Sequence, residues 1–237
     1  MKIALIGYGK MGKAIEEIGL GKGHEFPLKI NGENLQDFTN ENLADIDVAI
    51  EFTTPDTAFS NLKKLFENKI PTVCGTTAWL DKKAEAENIC KQNNTAFLYA
   101  SNFSVGVNIF FEINKQLAQI MNDYPAYNPS LEEIHHTAKL DAPSGTAVTL
   151  AEGLLEKLNR KTNWANKETT EAETLSIISK REDPAPGTHS ISYDSPIDSI
   201  EIKHTAHSRK GFASGALLAA EFLADKQGIF AMKDVLF

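Results

Sequence analysis

The segment Glu132 to Ala147, EEIHHTAKLDAPSGTA, gathers side chains able to move protons and to hold anions. His135 and His136 stand side by side in a chain with only six histidines, and Lys139 follows three residues on. An imidazole changes charge near neutral pH, so either ring can give or take a proton during turnover. Lys139 adds a fixed cation, and the three together can hold a carboxylate. Pro143 stiffens the chain ahead of Ser144, Gly145 and Thr146. Ser144 is a good N-cap for a helix beginning near Thr146, and the amides and hydroxyls there offer an anion a second grip. A plainer arrangement also suits these residues, a strand end whose basic side chains pair with Glu132, Glu133 or Asp141.

A second constellation lies at the N-terminus. GYGKMG places Gly7, Gly9 and Gly12 at G-x-G-x-x-G spacing, with Lys10 and Met11 between the last two. Glycine allows a tight turn and close backbone approach, and the amides of a following helix can hold a pyrophosphate. Such a motif alone can be an ordinary turn. Here it follows the apolar run KIALI and opens KMGKAIEEIGL, whose apolar residues fall at helical spacing, the context a dinucleotide site requires. The usual acidic residue at the end of the second strand is replaced near Asn31, with Lys29 slightly early and Glu33 slightly late. Asparagine bonds a ribose hydroxyl without repelling a 2′-phosphate, so NADH and NADPH both stay open. The two constellations together suggest hydride transfer to an anionic substrate, with the proton delivered from the His-Lys segment.

These residues must be positioned by regular elements. DVAIEFT, IPTVCGTT and TAFLYA read as buried strands, separated by the helical stretches PDTAFSNLKKLFENK and DKKAEAENICKQNN. Alternation of this kind implies an α/β fold with a Rossmann-type, doubly wound parallel sheet. From Ser104 the character changes to a long helix, with Val107, Phe110, Phe111, Ile113, Leu117, Ile120 and Met121 as its apolar residues. SLEEIHH reads as a strand and SGTAVTLAEGLLEKLN as a helix, and RKTNWANKETTEAE is expected to be a loop. TLSIISKR, THSISYD and DSIEIKHTA then suggest an antiparallel or mixed second sheet, hence an α+β domain. The apolar helix GFASGALLAAEFLAD is expected to return to the first lobe. The expected domains are 1–104 plus 209–237, binding the dinucleotide, and 105–208.

The formal net charge of −8 argues against a nucleic-acid or anionic-membrane partner, which would need a clustered basic field. It also makes a local basic pocket informative. No apolar run approaches a bilayer-spanning length, and the N-terminus lacks a signal-peptide pattern, so a cytoplasmic location is expected. Cys74 and Cys90 have neither metal-like nor redox-motif spacing, and no metal is expected.

At these residues the sequence resembles the dihydrodipicolinate reductases, also named 4-hydroxy-tetrahydrodipicolinate reductases, of the diaminopimelate route to lysine. The family signature E-x-x-H-H-x-x-K-x-D-x-P-S-G-T-A stands here as EEIHHTAKLDAPSGTA, with supporting matches in GYGKMG, EFTTP, CGTT, SNFSVGVN and HTAHSRKGFASGA. The resemblance implies that His135 is the general acid/base and that Lys139 donates a proton or holds a carboxylate. It further implies that His136, Ser144, Gly145 and Thr146 bind a small dicarboxylate. Gly75, Thr76, Thr77 and the segment Ala100, Ser101, Asn102, Phe103 would line the cofactor, NADH or NADPH, near its nicotinamide. The middle domain would bind substrate and build a homotetramer. Two alternatives are a reductase of another oxo or imino acid and a non-catalytic dinucleotide-sensing module. Neither has an evident use for His135 and Lys139.

Overall fold

The computed structural model describes residues 1–208 and 210–237. In chain order its elements are β1 (Lys2–Ile6), α1 (Lys10–Gly21), β2 (Glu25–Ile30), α2 (Asn40–Leu43), β3 (Val48–Glu51), α3 (Pro55–Glu67), β4 (Thr72–Cys74), α4 (Lys83–Gln92) and β5 (Ala96–Tyr99). There follow α5 (Val105–Met121), β6 (Asn128–His135), α6 (Gly145–Lys157), β7 (Asn163–Ala165), β8 (Thr174–Arg181), β9 (Thr188–Asp194), β10 (Ser199–Thr205), α7 (Lys210–Leu223), β11 (Gly228–Phe230) and α8 (Met232–Leu236). The chain divides into two compact units, Met1–Val105 with Lys210–Phe237, and Gly106–Arg209.

The first unit holds a six-stranded, all-parallel sheet in the order β11-β5-β4-β3-β1-β2. Its central strands are continuous apolar runs because helices cover both faces, leaving little place for alternation. From β1 the chain steps outward to β2 on one side and then resumes with β3 on the other, so the strand order reverses between β1 and β3. A crevice outside the carboxyl ends of such a pair is where open α/β sheets bind ligands. The helix α7 joins this unit, packing Ala213, Ala216, Leu217, Ala220 and Leu223 into the core with Ile3, Leu5, Val48 and Ile50. Small residues let it come close; a Cβ at Gly215 would fall 1.7 Å from the Phe103 carbonyl oxygen. The three-residue β11 and five-residue α8 are too short to show a period in the sequence.

The second unit holds a mixed sheet in the order β10-β9-β6-β8-β7. Strand β6 pairs parallel with β8 and antiparallel with β9. Residues of one parity, Leu131 on β6, Leu175 and Ile177 on β8, Ile191 and Tyr193 on β9, face a core completed by α5 and α6. One sequence expectation is corrected here. The stretch 160–173 is not all loop, since Asn163–Ala165 forms β7, parallel to β8; three residues without alternation carry no strand signal. On α5 the buried face is Val107, Phe110, Asn114, Ala118 and Met121, while Ile113 and Ile120 are 45% and 59% exposed. Asn114 is buried because its amide nitrogen donates to the Leu150 carbonyl at 2.9 Å, a bond that joins α5 to α6.

Candidate active site

The glycine motif forms the turn after β1. Gly7 has φ of +100°, and a Cβ there would lie 1.9 Å from the Phe52 carbonyl oxygen, so glycine alone lets β1 turn this close to the end of β3. The Gly7 and Tyr8 amides donate to the Ile30 carbonyl at 2.9 and 2.7 Å. Gly12 is likewise closed in, since its Cβ would meet the Gly7 carbonyl oxygen at 2.8 Å. Gly9 is different. It is the N-cap of α1, and nothing lies within 4 Å of the position its Cβ would take. Open space at the first amides of a helix, kept by a residue without a side chain, is the cradle a pyrophosphate fits.

A cleft of about 450 Å³ brings together Gly7, Gly9, Lys10, Met11, Gly75, Thr76 and Thr77, placing the glycine turn beside the turn after β4. Phe52, Thr53 and Pro55 also line it, and sequence reasoning assigned them no role although EFTTP was part of the resemblance. Glu51, fully buried, organises this edge: its carboxylate accepts from the Thr53 amide at 3.2 Å and from the Thr53 hydroxyl. The same amide donates to Thr76 Oγ1 at 2.8 Å, which joins the ends of β3 and β4. Cys74 is a poor nucleophile there, since burial and the neighbouring Glu51 carboxylate push its thiol up. Asn31 and the segment Ala100–Phe103 do not line the cleft. Asn31 is engaged in a local turn, its Oδ1 accepting from the Glu33 amide at 2.8 Å. Phe103 is buried, its ring 5.6 Å from that of Phe52.

In the second unit the strand period places Glu133 and His135 on the same face as Leu131. The apolar face of the sheet therefore ends in a polar cluster. Register sets the partners: Glu133 lies opposite His189 of β9, and His135 opposite Arg181 of β8. Glu133 is fully buried, and His135 and His189 are 8% and 4% exposed. Glu133 Oε1 accepts from Arg181 Nη1 and Nη2 at 3.2 and 3.1 Å and from the Ser144 amide at 3.2 Å. Its Oε2 stands 2.5 Å from His135 Nδ1, an ion-pair contact without the alignment of a regular hydrogen bond. The His135 and His189 rings meet edge to face at 5.1 Å, and His189 Nε2 lies 3.1 Å from Ser144 Oγ.

Burial drives the Glu133 carboxyl upward, but contacts with His135, Ser179 and Ser144 outweigh it and hold the group well below the usual carboxylate range. His189 is pushed down to about 4, first by burial and then by the charge of His135, so it is neutral at physiological pH. The ligand atoms of Glu133, His135 and His189 fall within 4.8 Å of one another, a spacing that a metal ion could close. Arg181 already places a permanent cation on Glu133, and that carboxylate is in contact with His135. A dication would have to compete with both, which favours proton chemistry.

Ser144 does cap α6, its hydroxyl accepting from the Ala147 amide at 3.2 Å, but it is only 2% exposed. Its oxygen is thus shared between the helix and His189, while the next residue, Gly145, is exposed. Lys139 is tied to both Asp141 oxygens at 2.8 Å, and Glu132 accepts Lys180 at 2.7 Å. Of the ion pairs foreseen for a plain strand end, Lys139 with Asp141 and His135 with Glu133 form, while Glu132 takes Lys180 of β8 instead. His136 follows the last residue of β6, half-buried. Arg181 and His189 are the additions sequence reasoning missed. In THSISYD, His189 shares the parity of Ile191 and Tyr193, which pointed to the buried face.

Two family models match the chain, Dihydrodipicolinate reductase, N-terminus, over residues 1–103 and Dihydrodipicolinate reductase, C-terminus, over residues 106–236. The chain belongs to the dihydrodipicolinate reductase family. A 4-hydroxy-tetrahydrodipicolinate reductase of Christiangramia forsetii is 52% identical over 100% of this chain and 98% of its own length. The enzyme of the same name from Neisseria meningitidis serogroup C is 33% identical over 93% of this chain and 83% of its own. A dipicolinate-bound dihydrodipicolinate reductase from Paenisporosarcina sp. TG-14 shares the fold at a TM-score of 0.78, with 22% identity, covering 98% and 97% of the two chains.

Proposed function

We infer that this family member is a 4-hydroxy-tetrahydrodipicolinate reductase, an NAD(P)H-dependent oxidoreductase that forms tetrahydrodipicolinate in lysine biosynthesis by the diaminopimelate route. The observation that carries it is 52% identity across the whole chain to a relative of that name, in a chain whose own His135–Lys139–Ser144 segment can hold and protonate a dicarboxylate. The cofactor is NADH or NADPH. When bound, it supplies a hydride.

Residue roles follow the family resemblance together with the chemistry of each group. Gly9 and the first amides of α1 hold the pyrophosphate, and Thr53, Gly75, Thr76 and Thr77 border the same cleft. The unit Met1–Val105 with Lys210–Phe237 binds the dinucleotide, and Gly106–Arg209 binds substrate. His135 is the proton donor to the substrate atom on which negative charge collects. Lys139, His136, Gly145 and Thr146 hold the carboxylates, with Lys139 exchanging Asp141 for substrate. Fixed cations and helix amides orient the substrate before reaction, which lowers the entropic part of the barrier.

The test is nicotinamide oxidation followed at 340 nm, with substrate made in situ from aspartate semialdehyde and pyruvate by the preceding synthase. Synthase-dependent oxidation of NADH, NADPH or both is expected, and His135→Gln should lose about 100-fold or more in kcat. Absence of oxidation by a folded protein that still binds a nicotinamide cofactor would refute the reading.

The assembly is a homotetramer and the location cytoplasmic. In support, the edge strand β10 exposes Ile200 to 40%, and Ile197 beside it is 92% exposed, surfaces that an edge strand ordinarily covers. Cys74 and Cys90 are both buried and unpaired, and no helix among the described residues is long and apolar enough to cross a membrane. Light scattering should report four chains per particle; a monomer in dilute solution would refute the tetramer.

A further inference from the structure

The neighbours of His135 treat its two ring nitrogens differently. Nδ1 faces Glu133 Oε2 at 2.5 Å. A bare nitrogen lone pair so close to a carboxylate oxygen is repulsive, whereas an N–H between them makes the contact attractive even when bent. Nε2 faces Gly187, where a Cβ would stand 3.1 Å away, so the side chain missing at Gly187 is one that would cover this atom. The ring is held at Nδ1, and of its two nitrogens only Nδ1 is among the fully buried atoms without a regular hydrogen bond.

Glu133 is built to stay ionised while doing this. Both Arg181 contacts and the Ser144 amide converge on Oε1, which leaves Oε2 to His135. Arg181 is itself held by the carbonyls of Lys139 at 3.3 Å and Asp141 at 2.6 Å, the loop that carries the candidate carboxylate grip. On the ring's other side His189, with burial against protonation, adds no positive charge and packs edge-on. Lys139 and Asp141 are engaged with each other.

We propose that Glu133 is a positioning residue: it holds one proton on His135 Nδ1, so that Nε2 is the atom that delivers the acid proton to substrate. This rests on the reading of His135 as proton donor. In the step the Nε2–H bond breaks and the substrate atom that gathers negative charge takes the proton. The ring is left neutral, keeping its remaining proton on Nδ1 toward Glu133, and Nε2 is reprotonated from solvent. A carboxylate fixing the tautomer of a catalytic imidazole is an established device in other enzymes. Here it is read from the 2.5 Å contact at Nδ1 and from Nε2, which no side chain at Gly187 covers and which is not among the fully buried unpartnered atoms.

The experiment has two arms. In the first, Glu133→Gln offers an amide N–H to Nδ1 and so favours the opposite tautomer. The expected result is a fall in kcat of about 100-fold or more with KM for the nicotinamide cofactor within about threefold, and recovery of part of the lost kcat in Glu133→Asp. A kcat within about threefold of the unmodified protein, or equal losses in kcat and cofactor KM, overturns the proposal. Because a buried Glu133 variant can fail to fold, the second arm uses the unmodified chain. Long-range ¹H–¹⁵N correlation of the His135 ring, assigned by its disappearance in His135→Asn, should show a protonated Nδ1. A bare Nδ1 with the proton on Nε2 overturns the proposal. This arm does not depend on turnover. A chain with the expected tautomer and no reductase activity would refute the function proposed above and leave the Glu133–His135 arrangement standing.

Discussion

His189 illustrates how one side chain ties packing to pH. Its imidazole is 4% exposed, and burial lowers its folded-state pKa from 6.5 to about 4. Between those values the unfolded chain binds a proton that the native chain refuses, so stability is complete above about pH 6.5 and is lost as pH falls toward about 4. The slope is at most about 1.4 kcal/mol per pH unit, summing to about 3 kcal/mol. His204, whose pKa burial also lowers, acts with the same sign. Glu133 is a depressed carboxyl, so its contribution is lost only below the ordinary Glu range, near pH 4.5. Denaturant titrations of His189→Gln at pH 4.5, 5.5 and 7.5 should therefore show a shallower loss of stability above pH 4.5. An unchanged slope would mean that this ring is not held neutral by burial.

At the scale of elements, the turn between β1 and α1 separates glycines needed by the fold from the glycine needed by the ligand. Gly7 combines φ of +100° with a Cβ position 1.9 Å from the Phe52 carbonyl oxygen. Gly7→Ala should lower stability by more than about 2 kcal/mol, because it forces β1 away from the end of β3. Gly9 has no atom within 4 Å of its Cβ position, so Gly9→Val should leave the melting temperature nearly unchanged. Its side chain would instead fill the cradle, raising the Kd for NADH by about tenfold or more, or about 1.4 kcal/mol. Thermal melts and fluorescence titrations separate the two effects. Equal affinity in Gly9→Val would place the pyrophosphate elsewhere. The G-x-G-x-x-G spacing marks all three glycines alike, and only the surrounding atoms distinguish their tasks.

At the scale of the whole molecule, the first unit is assembled from both ends of the chain. Leu217, Leu223 and Met232, together with the buried alanines of α7, complete the core around β1 and β3. Each large apolar side chain contributes about 1.5–3 kcal/mol when fully buried, so removing residues 210–237 forfeits an amount comparable with the whole stability of a domain. The truncated chain should lose cofactor binding and the near-ultraviolet circular dichroism of the first unit. Retention of NADH binding by that fragment would show that α7 is dispensable to the sheet.

The sequence by itself determined the periodic elements and the chemistry they carry. Apolar runs such as Ile3–Ile6 and Val48–Ile50 specify buried parallel strands locally, and the glycine turn and the His135–Lys139–Ser144 segment are contiguous, so their residue types could be read directly. Glu133 and His135 share the parity of Leu131, and His189 that of Ile191 and Tyr193, but this parity points inward only once the core-facing side of the sheet is known. What only the tertiary structure decided was which of these groups meet. Glu133 faces His189 across β6 and β9, and Arg181 reaches Glu133 from β8, because hydrogen-bond register joins residues 46 to 56 positions apart. That register follows from the packing of the whole sheet against α5 and α6. The short elements β7, β11 and α8 were invisible for a related reason: three to five residues have too little period to read, and their neighbours in space hold them in place.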